Sequence, residues 1–132
     1  GKGNLESSIN MTLYNPGTFV GNKKSFKWGQ TVTSSQLETL VGITTAPVDN
    51  PDKTNFECNV KFYDETGNIA QRKWNIKAGT SKKFSVSEEL EITNKTKDPR
   101  YIWCVIEGDP GIGFNAVTYN NKTNNCSGDH GF

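Results

Sequence analysis

Residues 55–86 constrain this chain more than any other stretch, because hydrophobicity there alternates with the period of a strand. Phe56, Cys58, Val60 and Phe62 are separated by Glu57, Asn59 and Lys61, the two-residue spacing that buries one face and wets the other. Residues 64–68 read Asp-Glu-Thr-Gly-Asn, a turn in which Gly67 is free to take positive φ. Trp74 and Ile76 resume the alternation, Ala78-Gly79 reverses the chain, and Phe84 and Val86 alternate again. The expectation is a three-strand antiparallel meander.

Similar signals flank it. Ile9, Met11 and Leu13 alternate with polar residues and stop at Asn15-Pro16-Gly17, a strong turn. Phe19, Phe26 and Trp28 follow around another loop. Ser34 to Glu38 resembles a capping box, and with Gly42 close behind it leaves room for a single helical turn, but residues 38–44 read better as a strand. Residues 46–54, with two prolines and two aspartates, form a long loop, and residues 87–90 a short turn. The run 101–106 is apolar on both faces, as in a strand covered on both sides. A turn at 108–111 then sends 113–119 back as the second arm of a hairpin. The sum is seven or eight short strands with frequent turns. That pattern predicts an all-β, single-domain antiparallel sandwich, immunoglobulin-like or jelly-roll-like, over residues 1–119. Residues 120–132 form a polar C-terminal tail, either flexible or held by Cys126.

A chain of 132 residues is one domain by size, and 33% apolar residues suit a thin two-layer β protein. Fifteen basic and fourteen acidic residues leave a formal charge of +1, too little to steer a nucleic acid or an anionic membrane. No apolar run reaches the roughly 18–20 residues that span a bilayer, so membrane insertion is not expected. The opening Gly-Lys-Gly reads as the start of a trimmed or processed chain, and a removed signal sequence stays open. Asn10, Asn94, Asn121 and Asn125 head Asn-x-Ser/Thr sequons, which would accept glycans in a secreted eukaryotic protein and mean nothing in a bacterial one.

Three cysteines occur. Cys58 and Cys104 could pair between facing strands as a disulfide, or both could be ordinary buried thiols. Cys126 could bond either, and the odd count leaves one thiol over. No metal site is expected, since there is no Cys-x-x-Cys and His130 is the sole histidine. The oxygen ligands Asp49, Asn50, Asp52 and Asn55, with Asp98 and Asp109 elsewhere, do not fit the register that wraps calcium. Catalysis has no visible constellation: His130 lies at the end of the chain, and Asp64, Glu65 and Asp109 have turn roles. No cofactor motif is present. Sugar recognition needs an exposed aromatic with amides and carboxylates nearby. Trp74 and Trp103 fall on core or interface registers, which leaves Trp28 as the aromatic candidate, with Asp49, Asp52 and Asp109 as its polar companions.

Cys58, Trp74 and Cys104 bring an immunoglobulin domain to mind, but its tyrosine corner requires Tyr two residues before the second Cys, and Tyr101 is three before Cys104. Phe62-Tyr63-Asp64-Glu65-Thr66-Gly67, then Ala78-Gly79-Thr80 and Phe84-Ser85-Val86, followed by 105–110 and 116–119 as a closing hairpin, resemble the core of the sensory-rhodopsin-transducer-like family and related bacterial surface β-sandwich modules. The resemblance covers residues 38–119 as a pattern of strands and turns. It departs from that pattern in its three cysteines, the 46–54 loop and the polar tail. It implies a non-enzymatic module with binding or signalling-partner roles and oligomeric assembly, and it transfers no functional residue.

The functional expectation is a non-catalytic binding module, extracellular or at the cell surface, that meets a glycan or a protein surface through loops 46–54, 93–100 and 108–113. A structural subunit of a surface or capsid-type assembly is the first alternative, and a jelly-roll enzyme acting on carbohydrate the second. A homo-oligomer would be one way to cover the second apolar face of 101–106.

Overall fold

The computed structural model describes residues 24–47 and 51–130. The strand pattern of Ile9, Met11 and Leu13, and Asp49, lie outside them. Among the described residues, eight antiparallel strands form one open sheet: β1 (Ser25–Thr33), β2 (Leu37–Thr45), β3 (Asn55–Asp64), β4 (Gly67–Lys77), β5 (Ser81–Ser85), β6 (Arg100–Gly108), β7 (Ile112–Asn120) and β8 (Cys126–His130). A single helical turn, α1 (Val86–Glu89), follows β5 and is capped by Ser85, whose hydroxyl accepts from the Glu88 N–H. The ladder runs β4-β3-β6-β1-β2-β7-β8, with β5 paired to β2 as a side branch.

Alternation decides which residues face inward. Phe56, Cys58, Val60 and Phe62 of β3, and Ile102, Cys104 and Ile106 of β6, are buried. They share one core with Val41 and Ile43 of β2, Phe84 of β5, and Ile112, Phe114 and Ala116 of β7. The Phe84 ring meets Phe62 edge-on at 6.0 Å and Trp74 at 5.3 Å.

The link between β1 and β2 is a single register pair, Thr33↔Glu38. Ser34 makes that corner: its backbone N–H donates to the Leu37 carbonyl, and its hydroxyl accepts from the N–H groups of Gln36 and Leu37. The capping-box chemistry expected at Ser34 therefore closes a turn, with no helix. Beyond the corner the Thr39 hydroxyl stands in for the ladder, accepting from the Val32 N–H at 2.9 Å and donating to its carbonyl at 3.0 Å.

Four expectations change. β3 and β4 do form the expected hairpin, with Gly67 at φ 114°, but β5 leaves it and pairs with β2. Gly79, at φ 75°, turns the chain after β4, and the Phe84 ring of β5 packs on Phe62 and Trp74. β6 and β7 are not a hairpin either, because both edges of β6 are taken, by β1 and β3, while β7 lies between β2 and β8. Third, Cys58 and Cys104 form no disulfide. They lie on neighbouring strands, Cys58 opposite Gly108 and Cys104 opposite Phe62. Four residues of register separate them, roughly 13 Å at about 3.3 Å per residue, and a disulfide needs Cα atoms within about 7 Å. The polar segment expected as a tail contributes β8, which pairs with β7 from Tyr119↔Cys126 to Asn115↔His130.

Candidate functional site

β1 and β6 pair over their whole lengths, and their outward residues fall into rows: Phe26 with Glu107, Trp28 with Val105, Gln30 with Trp103, and Val32 with Tyr101. Every row therefore carries one aromatic side chain, first from β1 and then from β6. Along the ladder these are Phe26, Trp28, Trp103 and Tyr101, which are 55%, 40%, 40% and 51% exposed. Inward neighbours Thr31, Ile102, Cys104 and Ile106 are buried, so the alternation that builds the core aims these rings the other way. Trp28 and Trp103 meet in the middle, with ring centroids 5.5 Å apart and planes tilted by 48°.

The rows continue onto β3 and β4 with polar groups. Tyr63 lies opposite Trp103, Lys61 opposite Val105 and Asn59 opposite Glu107, while Gln71 and Lys73 face Lys61 and Asn59 from β4. The Gln71 amide donates to Asn59 Oδ1 at 2.9 Å. At the Phe26 end this polar region deepens into an open groove of about 500 Å³, lined by Glu57, Asn59, Lys73, Asn75, Glu107 and Asp109 among others. The side chains of Glu57, Lys73, Asn75 and Glu107 make no hydrogen bond or ion pair among the described residues, so their hydrogen-bonding capacity faces solvent.

Asp109 has a structural task at the groove's end. Its Oδ2 accepts from the Glu57 N–H at 2.8 Å and pairs with Lys53 at 3.3 Å, and its own N–H donates to the Glu57 carbonyl. The turn after β6 is thereby tied to β3, and the loop carrying the exposed Asp52 is brought against it through Lys53. Trp28 stands apart, on the sheet face rather than in a loop. Of the four ligand-binding residues expected from sequence, the structure thus brings Asp52 and Asp109 near one end of the ladder and places Trp28 within it.

Phe26, Tyr101 and Trp103 were not expected in the site. Their signal was present: Tyr101 and Trp103 alternate with Ile102 and Cys104, and an aromatic on the outward register of a buried strand is a surface residue. At the Tyr101 end, Asp64 accepts from Thr66 and from Arg100. The Thr66 hydroxyl and backbone N–H hold its carboxyl below the ordinary range, with help from Arg100.

A second polar cluster is sealed inside. Glu38 is 5% exposed, and its carboxylate accepts from Thr33 (2.9 Å), Ser85 (3.3 Å), the Ser87 N–H (3.1 Å) and hydroxyl (2.7 Å), and Lys95 (2.8 Å). Burial pushes this carboxyl up, but Lys95, Ser87 and Thr33 together outweigh it and hold it below the usual value. Burial also drives the Cys58 thiol up to about 11 and Cys104 to about 12, which keeps both protonated and inert. Among the described residues no group of three His, Cys, Asp or Glu side chains is placed to hold a metal, and no helix is long and apolar enough to cross a membrane.

No protein-family model matches the sequence, and no curated protein is similar to it. Among solved structures, the crystal structure of Thermotoga maritima 1070 is similar over 86% of this chain and 96% of its own, with a TM-score of 0.57 and 12% sequence identity. At that identity the likeness is one of fold alone.

Proposed function

We propose that the protein is a non-catalytic binding module that engages a glycan or a protein surface through the outward face of β1 and β6. The observation that carries this reading is the ladder of four exposed aromatic rings beside a polar groove, since Trp and Tyr offer a large apolar face with a polar edge, which suits them to contact surfaces. The binding role agrees with what the resemblance to sensory-rhodopsin-transducer-like modules implies. The face replaces the strand-end loops as the contact region, while the loop carrying Asp52 and the turn of Asp109 flank it. An extracellular or cell-surface setting belongs to the same reading.

We also propose that the sheet bends over at the Thr33–Glu38 corner to bring two layers face to face as a β-sandwich. Two contacts support it: a Cβ added to Gly29 of β1 would run into the Phe114 ring of β7, and Phe84 of β5 packs on Phe62 and Trp74.

Trp28→Ala and Trp103→Ala test the binding face. Titration calorimetry against glycans or partner proteins should show each variant binding at least about tenfold more weakly, about 1.4 kcal/mol. Unfolding should shift by no more than about 0.5 kcal/mol, as for other surface substitutions. Unchanged binding in both variants would move the site elsewhere. If the face instead joins copies into an assembly, the same variants would reduce the mass measured by light scattering.

A further inference from the structure

We propose that the aromatic ladder and the groove at its Phe26 end take a neutral, linear oligosaccharide as a single chain, the ladder stacking successive sugar rings and the groove hydrogen-bonding one unit. This inference rests on the binding reading above and narrows it to one ligand class.

Shape comes first. From the Phe26 row to the Tyr101 row there are three two-residue steps, about 20 Å at about 3.4 Å per residue. The ladder is only two strands wide, about 10 Å. Its footprint is therefore about 200 Å², against about 800 Å² per partner in a standard protein interface. A long, narrow track suits a chain one sugar wide, and a second protein would have to rest mainly on charged groups that interface cores exclude. The 48° tilt between Trp28 and Trp103 means that the rings do not make one plane. A flat crystalline polysaccharide surface would meet them poorly, whereas a single chain that turns along its length can follow them.

Charge and hydrogen bonding settle the class of chain. In the groove Lys24 and Lys73 balance Glu57 and Glu107, and Asp109 is already paired with Lys53. Lys61, on the next row, leaves one net positive charge over ladder and groove, too little to make a polyanion or a polycation the preferred ligand. Asn59 and Asn75 add amides, so donors and acceptors alternate across neighbouring strands, as a polyhydroxyl ligand requires. Asn59 is also oriented, because its oxygen is held by Gln71 and its NH₂ is left to donate.

The test is titration calorimetry of the full chain with cellohexaose, mannohexaose, laminarihexaose and chitohexaose, their trimers, anionic hexagalacturonate, and a polyproline peptide. At least one neutral hexamer should bind, its trimer about tenfold more weakly and hexagalacturonate not measurably. Trp103→Ala should remove the advantage of the hexamer over the trimer. Asn59→Ala and Glu107→Gln, both outward on the sheet, should flatten the preference among neutral hexamers while circular dichroism stays unchanged. Equal binding of trimer and hexamer, binding of hexagalacturonate, binding of polyproline alone, or groove variants with unaltered preference would each overturn the inference and leave the binding face standing. Failure of every neutral hexamer would overturn the inference, and a binding face that then captured only protein would show where the broader reading survives.

Discussion

Replacing Glu38 isolates the buried polar cluster that joins the β1–β2 corner to α1 and the loop of Lys95. In Glu38→Gln one carboxylate oxygen becomes an NH₂ group. The better orientation keeps an oxygen for the Ser87 N–H and Ser85, where the Ser87 backbone donor cannot turn away. The amide nitrogen then faces Thr33, the Ser87 hydroxyl and Lys95. The two hydroxyls can rotate to accept, but the Lys95 ammonium cannot, so one charge-assisted hydrogen bond is lost and the others weaken. Such a bond contributes about 1.5–3 kcal/mol, and Lys95 is partly solvated, so the loss should be about 2–3 kcal/mol in all. Glu38→Ala, which strands the Ser87 N–H as well, should cost about 3–5 kcal/mol. Urea titrations followed by tryptophan fluorescence at pH 7 should put the Glu38→Gln midpoint about 0.7–3 M lower, taking a slope of about 1–3 kcal/mol per M. Because the folded carboxyl titrates below its unfolded value of about 4.3, its contribution is complete above that pH and fades as pH falls through the lower folded value. The gap between wild type and Glu38→Gln should therefore narrow below pH 4. A gap under about 0.5 kcal/mol at pH 7, or one that persists unchanged at pH 2.5, would refute the account of Glu38 as a stabilising charged hub.

Two smaller expectations follow from packing. Gly29→Ala should lower the thermal midpoint markedly, because its methyl would enter the space of the Phe114 ring, and Phe114→Leu should partly restore it. An additive double variant would deny that β1 and β7 face each other there. Mass-spectrometric labelling with iodoacetamide at pH 8 should modify Cys126, which is exposed on β8, while Cys58 and Cys104 react only once the protein is unfolded. Rapid labelling of either buried thiol in the native protein would contradict the protection that burial gives them.

The all-β class and most strand positions were legible because one-sided burial writes a two-residue period into β3, and Asp64–Gly67 writes a turn. Pairing was not legible. Nothing in the local pattern of β5 says that its partner is β2, since both candidate neighbours present the same inward alternation. β8 escaped notice because an edge strand held by main-chain hydrogen bonds needs no apolar residues. The ladder was half visible. Trp28 stood out by its polar neighbours, but Tyr101 and Trp103 were assigned to a core or interface because hydrophobicity alone cannot tell an inward aromatic from an outward one. Asp109 was legible only as a local turn residue, and its bond to the Glu57 backbone of β3, 52 residues away, was not.

The pairing of β1 with β6 and of β2 with β7 also governs how the chain comes to be folded. The first two strands described leave the ribosome long before their partners, since Thr33 pairs with Arg100 and Leu37 with Asn120. Among the described strands, β3 with β4 and β7 with β8 can close as local hairpins. Closing the long loops costs entropy before any ladder repays it, which places the protein among slow-folding topologies. Until β6 is made, the strand bearing Phe26 and Trp28 lacks its partner, and the polar residues interspersed along it, Lys27 and Gln30 among them, keep it from presenting an unbroken apolar run, as a segment exposed during folding requires.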